Sequence, residues 1–139
     1  MKGSQRLRTA GCILFITLCS CIAPLATFAE EIEIAIDVAP NTLNIQSAST
    51  VVTVHTDIAY GDVAGATVDL NGVQISWWKA DNQGNFVAKF NSDEVKSLEG
   101  LKIGDYNTLT LFGYTNDGDT FIGSQDIMVI DVVPVKKGG

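Results

Sequence analysis

Three features of the chain predict an all-β fold, an antiparallel β-sandwich of about seven or eight strands. Residues 30–139 consist of short, alternating segments rich in Val, Ile and Thr, parted by Gly, Asn, Asp and Pro. Asn71-Gly72 lies between two such segments, and Asn-Gly marks a tight hairpin because both residues tolerate positive φ. No stretch carries the apolar periodicity of a long helix.

The chain opens with an export signal, residues 1–29. Lys2, Arg6 and Arg8 precede the apolar run Cys12-Ile13-Leu14-Phe15-Ile16, Pro24 interrupts it, and Thr27-Phe28-Ala29 supplies a small-residue cleavage site before Glu30. The run is too short to be a transmembrane segment. All three cysteines lie in this stretch, so cleavage after Ala29 leaves a chain without thiols. Leu18-Cys19-Ser20-Cys21 is the competing signal, a loose lipoprotein box that would place a lipid anchor at Cys21. Either route takes the protein out of the cytoplasm, to a periplasmic or extracellular location.

One domain, residues 30–133, follows, with residues 134–139 as a polar tail. Its first strand alternates Ile32, Ile34, Ile36 and Val38 with Glu33, Ala35 and Asp37, up to the break at Pro40. Leu43 and Ile45 mark a short strand. Thr50 to Thr56 is β-branched and alternating, which favours extended backbone. Ala59 to Gly65 is a loop. Across the Asn71-Gly72 turn, Leu70 pairs with Val73 and Val68 with Ile75, so these four share the apolar face. Carrying that alternation onward puts Trp77 inside and Trp78 outside. Asp81-Asn82-Gln83-Gly84-Asn85 turns the chain into Phe86–Phe90. Ser92-Asp93-Glu94 caps a short helical turn reaching Glu99, ended by Gly100. Thr108 to Tyr114 and Thr120 to Val133 are the last two strands, joined at Asn116-Asp117-Gly118-Asp119, with a bulge expected near Gly123.

Charge narrows the function. Residues 30–139 hold all 16 acidic residues, six lysines and no arginine, a formal balance of −10. Such a surface repels phosphate backbones and lacks the guanidinium fork that grips them, which argues against nucleic acid as a partner. Excess acid also keeps an exported protein soluble.

The turn and strand landmarks resemble those of bacterial immunoglobulin-like domains of secreted and surface proteins. The matching frame is Ala66-Thr67-Val68-Asp69-Leu70-Asn71-Gly72, Asp81-Asn82-Gln83-Gly84-Asn85-Phe86, Gly104-Asp105-Tyr106-Asn107-Thr108-Leu109-Thr110 and Thr115-Asn116-Asp117-Gly118. Asp37-Val38-Ala39-Pro40-Asn41-Thr42-Leu43-Asn44 is similar to an opening segment of surface-protein modules. The resemblance implies an immunoglobulin-like sandwich and brings no catalytic motif with it.

Candidate chemistry is sparse. His55 is the sole histidine, set in a strand between Val54 and Thr56, and no Gly-x-Ser-x-Gly elbow accompanies it. The carboxylates Asp93-Glu94 and Asp117/Asp119 lie in turns, and a sandwich of about 110 residues leaves little room for the substrate cleft that a glycosidase pair needs. The residues therefore point away from an enzyme. Asp81, Asn82 and Asn85 in one turn and Asn116, Asp117 and Asp119 in another offer oxygens, so calcium is the one cofactor the sequence raises. Asp, Asn and Gly are equally what any tight turn needs. Trp78, with Tyr60 and Tyr114 nearby, is the expected contact for a protein or glycan partner. The expectation is an exported, non-enzymatic module with a structural or protein-interaction role, a carbohydrate- or calcium-binding accessory domain being the alternative.

Overall fold

The computed structural model describes residues 29–134, so the body of the export signal (residues 1–28) and the tail from residue 135 lie outside the described residues. Ten strands form two packed sheets. They are β1 (Glu31–Glu33), β2 (Ile36–Ala39), β3 (Thr42–Asn44), β4 (Val51–Ala59), β5 (Val63–Leu70), β6 (Val73–Gln74), β7 (Trp77–Ala80), β8 (Asn85–Asn91), β9 (Asp105–Thr115) and β10 (Thr120–Ile130). A 3-10 turn, Tyr60–Asp62, links β4 to β5, and one helix, α1 (Ser92–Lys96), follows β8. The six-stranded sheet runs β1-β10-β9-β5-β6, with β3 also on β10; the four-stranded sheet runs β2-β4-β8-β7.

The count exceeds the eight segments of the alternation pattern because two of them change sheets midway. Ile32–Val38 splits into β1, parallel to β10, and β2, antiparallel to β4. The chain then returns to β10 as β3, again parallel. Thus β10 is flanked by β1 at Thr120–Ile122 and by β3 at Met128–Ile130. Between them its edge is served by a side chain: Gln125 Oε1 accepts the Val38 N–H across the sheets at 2.8 Å. Gly123 stands where the chain leaves β10. A Cβ there would come within 2.7 Å of Ile36 Cγ2 and 2.8 Å of the Ile34 carbonyl oxygen. The expected bulge at this glycine is absent, because the β9–β10 ladder runs unbroken from Thr120↔Tyr114 to Val129↔Asp105. Close crossing of the chain, rather than extra backbone, accounts for the glycine.

The hairpin forms as its turn chemistry requires. Leu70 pairs with Val73, Ile75 N–H reaches the Val68 carbonyl at 3.2 Å, and Asn71 and Gly72 have φ of 49° and 91°. Then the second arm departs. Ser76 N–H donates to the Lys89 carbonyl at 2.8 Å, in the other sheet. The helix cap also moves by one residue. Asn91 Oδ1, not Ser92, accepts the N–H groups of Asp93 (2.8 Å) and Glu94 (3.3 Å), and the helix ends at Lys96.

One core fills the space between the sheets. Phe86, Ala88 and Phe90 of β8 meet Val68, Leu70, Leu109, Leu111, Phe121 and Ile127 of the facing sheet, with Val52 and Val54 beside them. These are the inward positions of alternating strands, which is how a sandwich buries two half-apolar sheets.

Candidate functional site

Two surfaces have the chemistry of a site. The first is the outer face of the four-stranded sheet. Phe86, Ala88 and Phe90 point inward, so Val87 and Lys89 point outward; Trp77 and Lys79 on β7 and Thr53 and His55 on β4 share that face by register. Trp77 stands opposite Lys89, and Lys89 opposite Thr53. The ammonium of Lys89 lies 5.4 Å from the Trp77 ring centroid and donates to Thr53 Oγ1 at 3.2 Å. Cation–π attraction and the hydroxyl together fix a side chain that is otherwise free to wander. Lys79 stands opposite Val87, and Val87 opposite His55. The indole of Trp77 is 49% exposed. An aromatic plate, two ammonium groups and a hydroxyl can stack an apolar ring and hydrogen-bond its polar rim.

This reverses the expected roles of the two tryptophans. Trp78, expected outside, is half-buried and packs against the core, while Trp77, expected inside, is exposed. The alternation that runs through Ile75 does not continue, because the chain changes sheets at Ser76 and the inward positions restart there. Trp78 reaches across to the facing sheet, where its indole lies on the backbone of Gly65. The other two expected contact residues lie apart from it. Tyr60, on the 3-10 turn, stacks on Phe86 with centroids 6.2 Å apart. Tyr114 is on the outer face of the six-stranded sheet, edge-on to Phe112 at 5.6 Å.

The second surface is an acidic depression of about 420 Å³ where β1, the end of β4 and the β9–β10 turn meet. Glu33, Asp57, Asp62, Asp117 and Asp119 ring an apolar lining of Ile32, Ile34 and Ile58. Two of these carboxylates already hold backbone. Asp57 Oδ1 accepts the Ala35 N–H, and Asp119 Oδ1 accepts the Glu30 N–H, both at 3.0 Å.

The expected calcium ligands are only partly gathered. Asp117 and Asp119 join the depression, and Asn116 instead bonds the Gly61 carbonyl through Nδ2 at 2.8 Å. Asp81, Asn82 and Asn85 belong to the β7–β8 turn, which touches the same 3-10 segment from elsewhere, through Tyr60 N–H to the Gly84 carbonyl at 2.9 Å. Asp81 is committed to its own turn, accepting the N–H groups of Gln83 (2.8 Å) and Asn85 (2.9 Å). The Asn85 hydrogen bond foremost, then that of Gln83, the charge of His55 and the Gly84 N–H, hold its carboxyl below the usual range, against an opposing push from burial. Among the described residues, no group of three or more His, Cys, Asp or Glu is placed to hold a metal ion.

Trp77, Lys89 and Thr53, and Glu33, Asp57 and Asp62, escaped the sequence reading. Each set joins segments more than twenty residues apart in the chain, Thr53 with Trp77 and Lys89, and Glu33 with Asp57 and Asp62, and no local spacing marks such a grouping. No helix among the described residues is long and apolar enough to cross a membrane. No protein-family model, curated protein or solved structure matches the chain.

Proposed function

We propose that this protein is an exported, non-enzymatic module of immunoglobulin-like type that binds a protein partner through the outer face of its four-stranded sheet. The observation that carries the reading is Trp77, a large aromatic residue 49% exposed on the edge strand β7, beside Lys89 of β8 on the outer face. Exposed aromatics of this kind supply much of the energy of protein interfaces. Lys79 and Lys89 are two of the four lysines among residues 29–134. They set a positive spot on an acidic molecule, which favours an acidic partner surface and orients its approach.

The carbohydrate-binding alternative is favoured by the same indole, since a flat plate flanked by the Lys89 ammonium and the Thr53 hydroxyl suits a sugar ring. Calcium has less support, because Asp81 and Asp119 already serve backbone donors. The test compares the exported protein with its Trp77→Ala variant, on glycan arrays and by cross-linking in the native envelope. Loss of one specific cross-linked protein, with an unchanged melting temperature, supports the proposal. Loss of glycan retention instead selects the alternative. A variant that retains every contact rules out this face.

A further inference from the structure

The start of the sheet coincides with the cleavage signal in the sequence. Ala29 and Glu30 are exposed, and β1 begins at Glu31. Among the described residues Glu30 is the first that is hydrogen-bonded into the sheet: its N–H donates to Asp119 Oδ1 at 3.0 Å, and its carbonyl accepts the Thr120 N–H at 2.9 Å. A cut between Ala29 and Glu30 therefore removes no contact of Glu30 and changes only the chemistry of its nitrogen.

We propose that Ala29–Glu30 is the processing site, and that the α-ammonium freed there is held by Asp119 as a charged clasp of β1 onto β10. In the hydrolysis, water adds across the Ala29–Glu30 amide. The carbonyl carbon takes the hydroxyl, the Glu30 nitrogen takes a proton as the C–N bond breaks, and the resulting amine takes a second proton from solvent. An ordinary α-amino group has a pKa of about 7.7–8.0, so it is charged at neutral pH. The neutral amide donor seen at Asp119 thereby becomes an ammonium donor, and charge-assisted hydrogen bonds are roughly twice as strong as neutral ones.

The surroundings favour that charge. Asp117 and Asp119 on the β9–β10 turn, Asp62 on the 3-10 turn, Asp57 on β4 and Glu33 on β1 all line the adjoining depression. Glu30 and Glu31 add carboxylates on the terminal segment itself. Before cleavage this end carries acid with no cation of its own in the described lining; after cleavage it has one. The clasp closes a pairing between residues 89 positions apart, where chain entropy opposes closure most. Processing thus completes the fold as well as releasing it.

The sign of the pH dependence follows. An ammonium stabilised in the folded state has a raised pKa there. Its contribution is fully present below about pH 7.7, the unfolded value, and is lost as pH rises through the folded value.

The test begins with the full-length chain expressed in an exporting bacterial host. Intact mass of the exported protein should correspond to Glu30 as first residue; a chain beginning elsewhere, or a lipidated species beginning at Cys21, overturns the processing site. The α-amine is then labelled by reductive methylation with 13C, which keeps its charge, and titrated by NMR beside Asp119→Asn. The native amine should titrate about one pH unit or more above its counterpart in the variant. Equal titrations overturn the clasp. If Asp119→Asn fails to accumulate, the native titration alone decides, since an amine at or below about pH 8 has no carboxylate partner.

Discussion

The indole of Trp78 and the bare backbone of Gly65 are two halves of one contact. A methyl group built on Gly65 would clash with the Cε2, Nε1 and Cδ2 atoms of the indole, so no larger residue fits that strand position while Trp78 keeps its place. Gly65→Ala should cost about 1–3 kcal/mol, the usual penalty of overpacking. Trp78→Ala should cost about 3 kcal/mol or more, as for a large aromatic lost from a core. Trp77→Ala should stay within about 1 kcal/mol, losing only a cation–π contact at the surface. Urea denaturation of the three variants measures this order. A costly Trp77→Ala beside a harmless Trp78→Ala would restore the opposite orientation of the strand. The sequence placed both tryptophans on a strand correctly but turned them the wrong way, because nothing in Ile75-Ser76-Trp77 announces a change of sheet. Ser92 gives a second residue-scale expectation. Its hydroxyl is fully buried and has no hydrogen-bond partner among the described residues. Ser92→Ala should therefore be neutral or stabilising, by up to about 1 kcal/mol, since an unpaired buried hydroxyl carries its desolvation cost uncompensated. A melting temperature lowered by several degrees would mean that the hydroxyl has a partner.

At the scale of the element, turns were the most legible part of the fold, because their requirement is local. Gly72 at φ 91° needs a residue without a Cβ penalty, and Asp69 Oδ1 supports it by accepting its N–H at 3.1 Å. Gly72→Val should cost about 1–2 kcal/mol in chemical denaturation. An unchanged midpoint would deny the positive-φ turn. What the hairpin signal does not reveal is that its tip is sewn to a third strand. Asn71 Oδ1 accepts the Thr110 N–H at 2.6 Å, and Asn71 Nδ2 donates to the Thr108 carbonyl at 3.1 Å. The β7–β8 turn shows the same limit. Its acidic composition raised calcium, yet Asp81 spends its lone pairs on the backbone of its own turn. A carboxyl held below the usual range stabilises the fold above the ordinary value of about 3.9, and that contribution is lost as pH falls through the lower folded value. The melting temperature of the native protein should thus exceed that of Asp81→Asn near neutrality, and the gap should close as pH falls through the lowered folded value. A gap that persists at low pH would assign the effect to packing instead of charge.

At the scale of the molecule, the alternation of Val, Ile and Thr foretold a sandwich, and two packed sheets are what forms. The path between the sheets was not foretold. Alternation reports that a residue faces a core, but both inner faces look onto the same core, so the pattern is silent on which sheet a strand has joined. Within a single alternating segment the chain uses that freedom twice, crossing after Ile34 and again at Ser76. These crossings tie the sheets together covalently at both ends of the four-stranded layer, since β2 and β7 are its two edges. Neither sheet can then peel away without dragging the edge of the other. A single core cluster, drawn from both layers, adds the same constraint through packing. Unfolding should accordingly be one cooperative transition. Tryptophan fluorescence is sensitive to Trp78 between the sheets, and far-ultraviolet circular dichroism to the strands as a whole, so the two probes should give superimposable denaturation curves. Refolding should be slow for a chain of this length, roughly milliseconds to seconds, because the pairings that close the fold join distant segments such as Glu31 with Thr120. Two separated transitions, with fluorescence changing first, would show that the Trp78 edge opens as a unit of its own and that the crossings do not couple the layers.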